Sequence, residues 1–186
     1  MPASEADDTI YQLHLALRDI TPVIWRRVQV RGSTTLPRLH TVFQRVMGWT
    51  NSHLHLFRVG EVEYGMPDAE YPNAMQNERR IRLEEIVHTV RDRFVYEYDF
   101  GDCWQHDVMV EAVLLPEPGR HYPVCLDGAR ACPPEDAGGT DGYADFLMAL
   151  GDPTHHEHQM MREWIGANFD PEAFDVAAIN RALRPR

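Results

Sequence analysis

A chain of 186 residues can bury one sizeable core, and 44% hydrophobic with 25% charged residues is the balance of a soluble globular protein. A formal charge of −11 disfavours extended contact with nucleic acid, which needs cations to displace the counterions around phosphate. No apolar run approaches the ~20 residues of a membrane span, the acidic start MPASEADDT is unlike a signal peptide, and 3 cysteines do not suggest a disulfide framework. A cytoplasmic protein with reduced thiols and no membrane contact is expected.

Residues 1–8 read as a frayed tail. Thr9 to Arg18 alternates Tyr11, Leu13, Leu15 and Leu17 against Gln12 and His14, which predicts a strand. Thr21-Pro22 punctuates it, and Val23 to Val30 predicts a second strand with Ile24, Val28 and Val30 on one parity. Arg26, Arg27 and Arg31 are expected at exposed positions, as are Arg79, Arg80 and Arg82. Leu36, Leu39, Val42, Phe43, Val46 and Met47 recur at helical spacing. Thr34 or Thr35 stands at the start of that helix, Pro37 in its first turn and Gly48 at its end. His53 to Tyr64 returns to strand alternation, interrupted at Gly60. Residues 65–80 read as a loop, and residues 81–89 as a short helix with Leu83, Ile86 and Val87 inward.

The most regular stretch is FVYEYDFGDCWQHDVMV, Phe94 to Val110. Phe94, Tyr96, Tyr98 and Phe100 share one parity, and Trp104, His106, Val108 and Val110 share one after the Asp-Phe-Gly-Asp turn. This predicts a β-hairpin running to about Leu115, with Gly101 supplying a positive φ. Residues 117–139 then read as a long Pro/Gly loop, a length that is often functional. Helices are predicted from Asp141 to Leu150, from Asp152-Pro153 to about Ile165, and from Asp175 to Leu183, after a further start signal at Asp170-Pro171. The expected fold class is α+β: an antiparallel sheet with a central hairpin, an early helix packed on it and a helical C-terminal part. One domain is expected over 1–186, with a β-rich core over 9–116, the loop over 117–139 and the helical part over 140–186.

The pieces PVIWRRVQV, LHTVFQRVMGW, HLHLF, YEYDFGDCWQH, YPVCLDGARACPPEDAGG, HHEHQMMREWIG and FDPEAFD occur in this order over nearly the whole chain. In them the sequence resembles the plasmid pRiA4b ORF-3-like proteins, some of which carry the label of insertion-element passenger TnpR proteins. The resemblance implies a compact α+β domain of bacteria and archaea, found near plasmids or mobile elements and functionally uncharacterised. It does not imply a recombinase. Ser4, Ser33 and Ser52 are the only serines, no strand-end Ser with clustered arginines is evident, and the charge is wrong for a tyrosine recombinase on DNA.

Asp99, Asp102 and His106, gathered near one hairpin end, are a candidate polar cluster for a hard metal or for acid–base work. The bland alternative is a turn whose Asp side chains accept backbone N–H bonds. Asp-Phe-Gly also occurs in kinases, but the chain contains no lysine and no phosphate loop. Glu135 and Asp136 either face Asp102 across a cleft or pair with an arginine from Val23 to Val30. Cys125 and Cys132, with His155, His158 or His121, are candidate zinc ligands at a spacing wider than the usual one. The alternative is two small residues pinning a long loop. His53 and His55 form a His-x-His strand pair that can ligate one metal, and His155 and His158 share a helix face at i, i+3. The preferred readings are polar positions on an open strand face for the first pair and, for His155, His156 and His158, a solvated helix start. Trp25, Trp49, Trp104 and Trp164 are expected in the core, or one or two of them half exposed in a groove.

Three functional readings follow. The first is a binding or interaction module for an unknown protein or small-molecule partner. The second is a metal-dependent, hydrolytic enzyme with an acidic/His cleft, zinc being the candidate divalent metal. The third is a nucleic-acid-binding accessory protein. Converging acidic groups would favour the enzyme, and an exposed apolar groove the module.

Overall fold

The computed structural model describes residues 8–67, 75–166 and 169–184. Its strands are β1 (Ile10–Leu17), β2 (Trp25–Arg31), β3 (His55–Val59), β4 (Val62–Gly65), β5 (Gln76–Asn77), β6 (Arg93–Tyr98), β7 (Trp104–Leu114) and β8 (Val124–Ala129). They form one 8-stranded sheet in the order β5-β4-β3-β6-β7-β1-β2-β8. Every pairing is antiparallel except β4 with β5. The helices are α1 (Leu36–Met47), α2 (Leu83–Ile86), α3 (Gly139–Gly151), α4 (His158–Ile165) and α5 (Val176–Leu183). The α+β class and the central position of the β6–β7 hairpin are as the alternation predicts.

One face of the sheet is apolar. Leu13, Leu15, Val28, Val30, Tyr96, Tyr98, Trp104, Val108 and Val110 are buried there, and α1 lays Leu39, Phe43 and Val46 against them. Phe43 meets the Tyr96 ring edge-on at 5.1 Å. The other face is a polar lattice, as an antiparallel sheet permits. Glu111 sits where the β1–β7 register shifts between Gln12 and Leu13, and its carboxylate accepts from Arg27 Nε at 2.5 Å and from Gln12 Nε2 at 2.9 Å. Arg18 reaches Asp107 at 2.6 Å, and Arg58 reaches Glu63 at 2.8 Å.

Pro37 lies in the first turn of α1, and Gly48 closes that helix at φ 105°. Asp175 caps α5 by accepting from Ala178 N at 2.9 Å. Thr35 is the N-cap of α1 but makes no side-chain capping bond.

Several expectations are corrected. Residues 117–139 contain a strand, β8, paired with β2. Its Gly128 is not in a turn: a Cβ there would lie 2.6 Å from the Phe174 ring, so glycine admits the close packing of that ring. Asp152-Pro153 starts a turn rather than a helix, with Asp152 Oδ1 accepting from Thr154 N at 2.8 Å, and α4 begins only at His158. The strand expected from His53 begins only at His55, while the turn expected at Gly60 is present and separates β3 from β4. Within the expected tail, Asp8 is held, accepting from Ser33 N at 3.1 Å; residues 1–7 and part of the loop expected over 65–80 lie outside the described residues. Arg26 is 2% exposed, not on the surface, and donates to the carbonyls of Trp25, Val46, Ala129 and Arg130 at 2.7–2.8 Å.

Candidate functional site

The turn between β6 and β7 is built by Asp99. This residue takes a left-handed conformation, φ 59°, and Cys103 does the same at φ 56°, whereas Gly101 does not. Asp99 Oδ1 accepts from Gly101 N at 2.9 Å, and the Cys103 N–H returns to Asp99 O at 2.6 Å. One carboxylate oxygen thus organises the turn, and the other, Oδ2, is left pointing outward from it.

The loop that ends in α3 is fastened over this turn. Asp102 Oδ2 accepts from Gly138 N at 3.0 Å, and Trp49 Nε1 donates to Pro133 O at 3.0 Å. Gly139, at φ 70°, approaches so closely that a Cβ would lie 2.8 Å from Asp102 O. Fastened at both points, the loop brings Glu135 and Asp136 to His53. His53 Nε2 lies 3.1 Å from Asp136 Oδ1, 3.6 Å from Asp99 Oδ2 and 3.9 Å from Glu135 Oε2. The atom is shielded from solvent and, among the described residues, has no hydrogen-bond partner of good geometry.

Glu135 is itself positioned. Its Oε1 accepts from Thr50 N at 2.8 Å and from the Tyr98 hydroxyl at 3.1 Å. Burial pushes the Tyr98 phenol up to about 12, and the neighbouring Glu135 carboxylate adds to this, so the hydroxyl stays a donor. The Tyr98 oxygen also accepts from Ser52 N at 2.9 Å, and its ring packs on Trp49 at 4.8 Å.

Ligand atoms of His53, Asp99 and Asp136 all lie within 4.8 Å of one another. Metal–ligand bonds of about 2.1 Å in a tetrahedron place neighbouring ligands roughly 3.4 Å apart. The 3.1 and 3.6 Å separations at His53 fit that spacing. One imidazole with two carboxylates suits a borderline to hard divalent cation. These three residues form the one such group among the described residues.

Of the residues singled out from sequence, Asp99, Glu135 and Asp136 come together. Asp102 lies beside them as the fastening of the loop. His106 is elsewhere: it is fully buried, its Nδ1 lies 3.2 Å from Tyr96 O, and Trp49 stands edge-on to its ring at 5.3 Å. Burial lowers its pKa to about 4, so it is a neutral core group. Glu135 pairs with Tyr98 and Thr50 rather than with an arginine of β2.

No three of Cys125, Cys132, His155 and His158 bring ligand atoms within 4.8 Å of one another. Burial pushes the Cys125 thiol up to about 11 and raises Cys132 as well. His158 Nδ1 lies 2.9 Å from Ala149 O, and His155 Nδ1 accepts from Glu157 N at 3.2 Å.

The sequence offers His53 only as half of a His-x-His pair, with an open strand face preferred, and does not join it to the acids of the turn. Its partner in the His-x-His pair is likewise not on an open face: His55 stacks on His40 and reaches Glu78 Oε1 at 3.1 Å. The missed signal is that His53 precedes a strand paired directly with β6, which ends at the Asp99 turn.

The sequence profile of the plasmid pRiA4b ORF-3-like proteins matches residues 9–178. The chain belongs to the plasmid pRiA4b ORF-3-like family. It is 40% identical over 177 residues to the uncharacterized protein y4hQ of Sinorhizobium fredii (strain NBRC 101917 / NGR234), covering 94% of this chain and 91% of that one. A crystal structure of a protein of unknown function, MM3350 from Methanosarcina mazei Go1, superposes with a TM-score of 0.84 at 37% identity. That match covers 91% of this chain and 97% of the archaeal one. Neither of these relatives brings a function with it, so the chemistry of the site has to indicate one. No helix among the described residues is long and apolar enough to cross a membrane.

Proposed function

We propose that this protein is a divalent-cation-binding module, with His53 Nε2, Asp99 Oδ2 and Asp136 Oδ1 as ligands and Glu135 as a fourth, more distant carboxylate. The observation that carries the reading is the convergence of three carboxylates on one shielded imidazole nitrogen that has no hydrogen-bond partner of good geometry among the described residues. A cation between them would offset the mutual repulsion of the acids and use that nitrogen's lone pair.

Isothermal titration calorimetry with Mn²⁺ and Zn²⁺ on untagged protein tests it. One equivalent is expected to bind, with affinity weakened at least tenfold in His53→Ala and in Asp99→Asn. Absence of saturable binding by the unaltered protein would refute the assignment.

A second reading is metal-assisted hydrolysis. Three close protein ligands, with Glu135 more distant and held by Thr50 and Tyr98, leave coordination positions for water and substrate, the pattern of catalytic rather than structural sites. The 73% exposure of the Asp136 side chain supports it by giving solvent access to the site. Metal-dependent turnover of p-nitrophenyl phosphate or acetate, lost in Asp99→Asn, is the expected result, and equal turnover in that variant would remove this reading. Nucleic-acid binding has less support. Arg18, Arg27, Arg58, Arg120 and Arg130 each reach a carboxylate, and Arg26 is buried.

A further inference from the structure

Helix α4 is amphipathic, with Met160, Met161, Trp164 and Ile165 along its apolar side, yet none of its residues is buried. Met160 is 53% exposed and Trp164 48%. Between α3 and α4 runs a groove of about 380 Å³ whose floor includes the buried Phe146. Trp164 stands edge-on to Phe146 at 5.5 Å and forms one wall. Among the described residues, nothing fills this groove. Its rim, among the described residues, is of one sign: Asp136, Asp145 and Glu157 line it, and no arginine does.

We propose that the α3–α4 groove docks a basic, amphipathic peptide segment of a partner protein. The apolar floor takes its anchoring side chains, and the acidic rim pairs with its Lys or Arg. Charge complementarity selects this occupant. A second copy of the chain, itself carrying −11, would bring acid to acid unless it offered a local basic face. Methionine walls suit such a partner, because unbranched thioethers adapt to differing anchors. The volume admits anchoring side chains rather than a whole helix, which matches a helix laid across the groove with anchors at i and i+3 or i+4. The groove adjoins the cation site through Asp136, but docking of the peptide needs no cation there.

The test is fluorescence anisotropy at 150 mM salt with a labelled helical peptide carrying leucine on one face and lysine on the other. A control peptide has glutamate in place of every lysine. Saturable binding of the lysine peptide alone is expected, weakened at least tenfold by Trp164→Ala and several-fold by Asp145→Asn with Glu157→Gln. Far-ultraviolet circular dichroism verifies that the variants are folded. Binding that ignores all three substitutions would be diffuse attraction to an acidic protein and would overturn the proposal, as would no binding. A dimer in sedimentation velocity that Trp164→Ala dissociates would assign the groove to a second copy instead.

Discussion

The rings of His40 and His55 lie face to face, with centroids 3.5 Å apart and planes inclined by 4°. His40 is held from both ends, Nδ1 by the Tyr96 hydroxyl at 2.8 Å and Nε2 by Asn51 Oδ1 at 2.6 Å. Burial, followed by the adjacent His55, lowers the His40 pKa to about 4. His106, also buried, is lowered to about 4.

A pH dependence follows from these two imidazoles. In the unfolded chain each takes up a proton near 6.5, whereas in the folded protein it does so only near 4. The unfolded state therefore binds more protons between these values, and stability falls as pH drops from about 6.5 towards 4. The loss is on the order of 3 kcal/mol for each histidine. Urea denaturation across this range is expected to show the decline, and His106→Gln to reduce its slope. An unchanged slope in that variant would assign the decline to other groups.

Asp102 bears on the proposed cation site without being one of its ligands. Asp102→Ala removes the acceptor for Gly138 N, costs about 1 kcal/mol of stability, and loosens the loop carrying Glu135 and Asp136. Cation affinity should fall by roughly tenfold, equivalent to about 1.4 kcal/mol. Gly139→Ala should destabilise by about 1–3 kcal/mol through its left-handed backbone and the contact with Asp102 O. Calorimetric titration and thermal melts of both variants separate the effects on affinity and on stability.

Arg26 fastens β2 to the end of α1 and to the segment after β8 entirely through carbonyl oxygens. Arg26→Ala leaves these buried acceptors short of a donor and should cost roughly 3 kcal/mol or more. Arg26→Lys should recover only part of this, since one ammonium cannot span the directions covered by a planar guanidinium. Denaturant midpoints of the two variants decide the matter, and equal midpoints for lysine and arginine would show that the planar fork is not needed.

The thiols should differ sharply in reactivity. Cys103 is exposed, while burial raises both Cys125 and Cys132. Ellman's reagent at neutral pH should modify one thiol quickly, and Cys103→Ser should abolish that phase. Treatment with a chelator should leave Cys125 and Cys132 as slow as before.

Much of the core is legible in the sequence because its alternation is strict. Trp104, His106, Val108 and Val110 fall on one parity and are all buried. Arg26 shares the parity of Ile24, Val28 and Val30, so its position points inward although its residue type points to solvent. The strand β8 is hidden by Pro123 and by Asp127-Gly128, a pair that usually marks a turn but here makes room for Phe174. In the candidate site, three acids are visible as chemistry near turns. His53 is not, because its role depends on which strand pairs with β6, and local sequence does not encode that choice. His106 misleads for the opposite reason: its neighbours in sequence are polar, but its parity points inward.

The fastening of Gly138 to Asp102 joins positions 36 residues apart, and that of Glu135 to Thr50 joins positions 85 apart. Such a site has no local precursor in the unfolded ensemble, since its loop-closure entropy is recovered only when the whole sheet has assembled. Cation occupancy would then report on global folding, and a saturating ion would act as a conformational lock. At a hundredfold excess over Kd the native state would gain about 2.7 kcal/mol, and a fragment lacking either the hairpin or the loop would gain nothing.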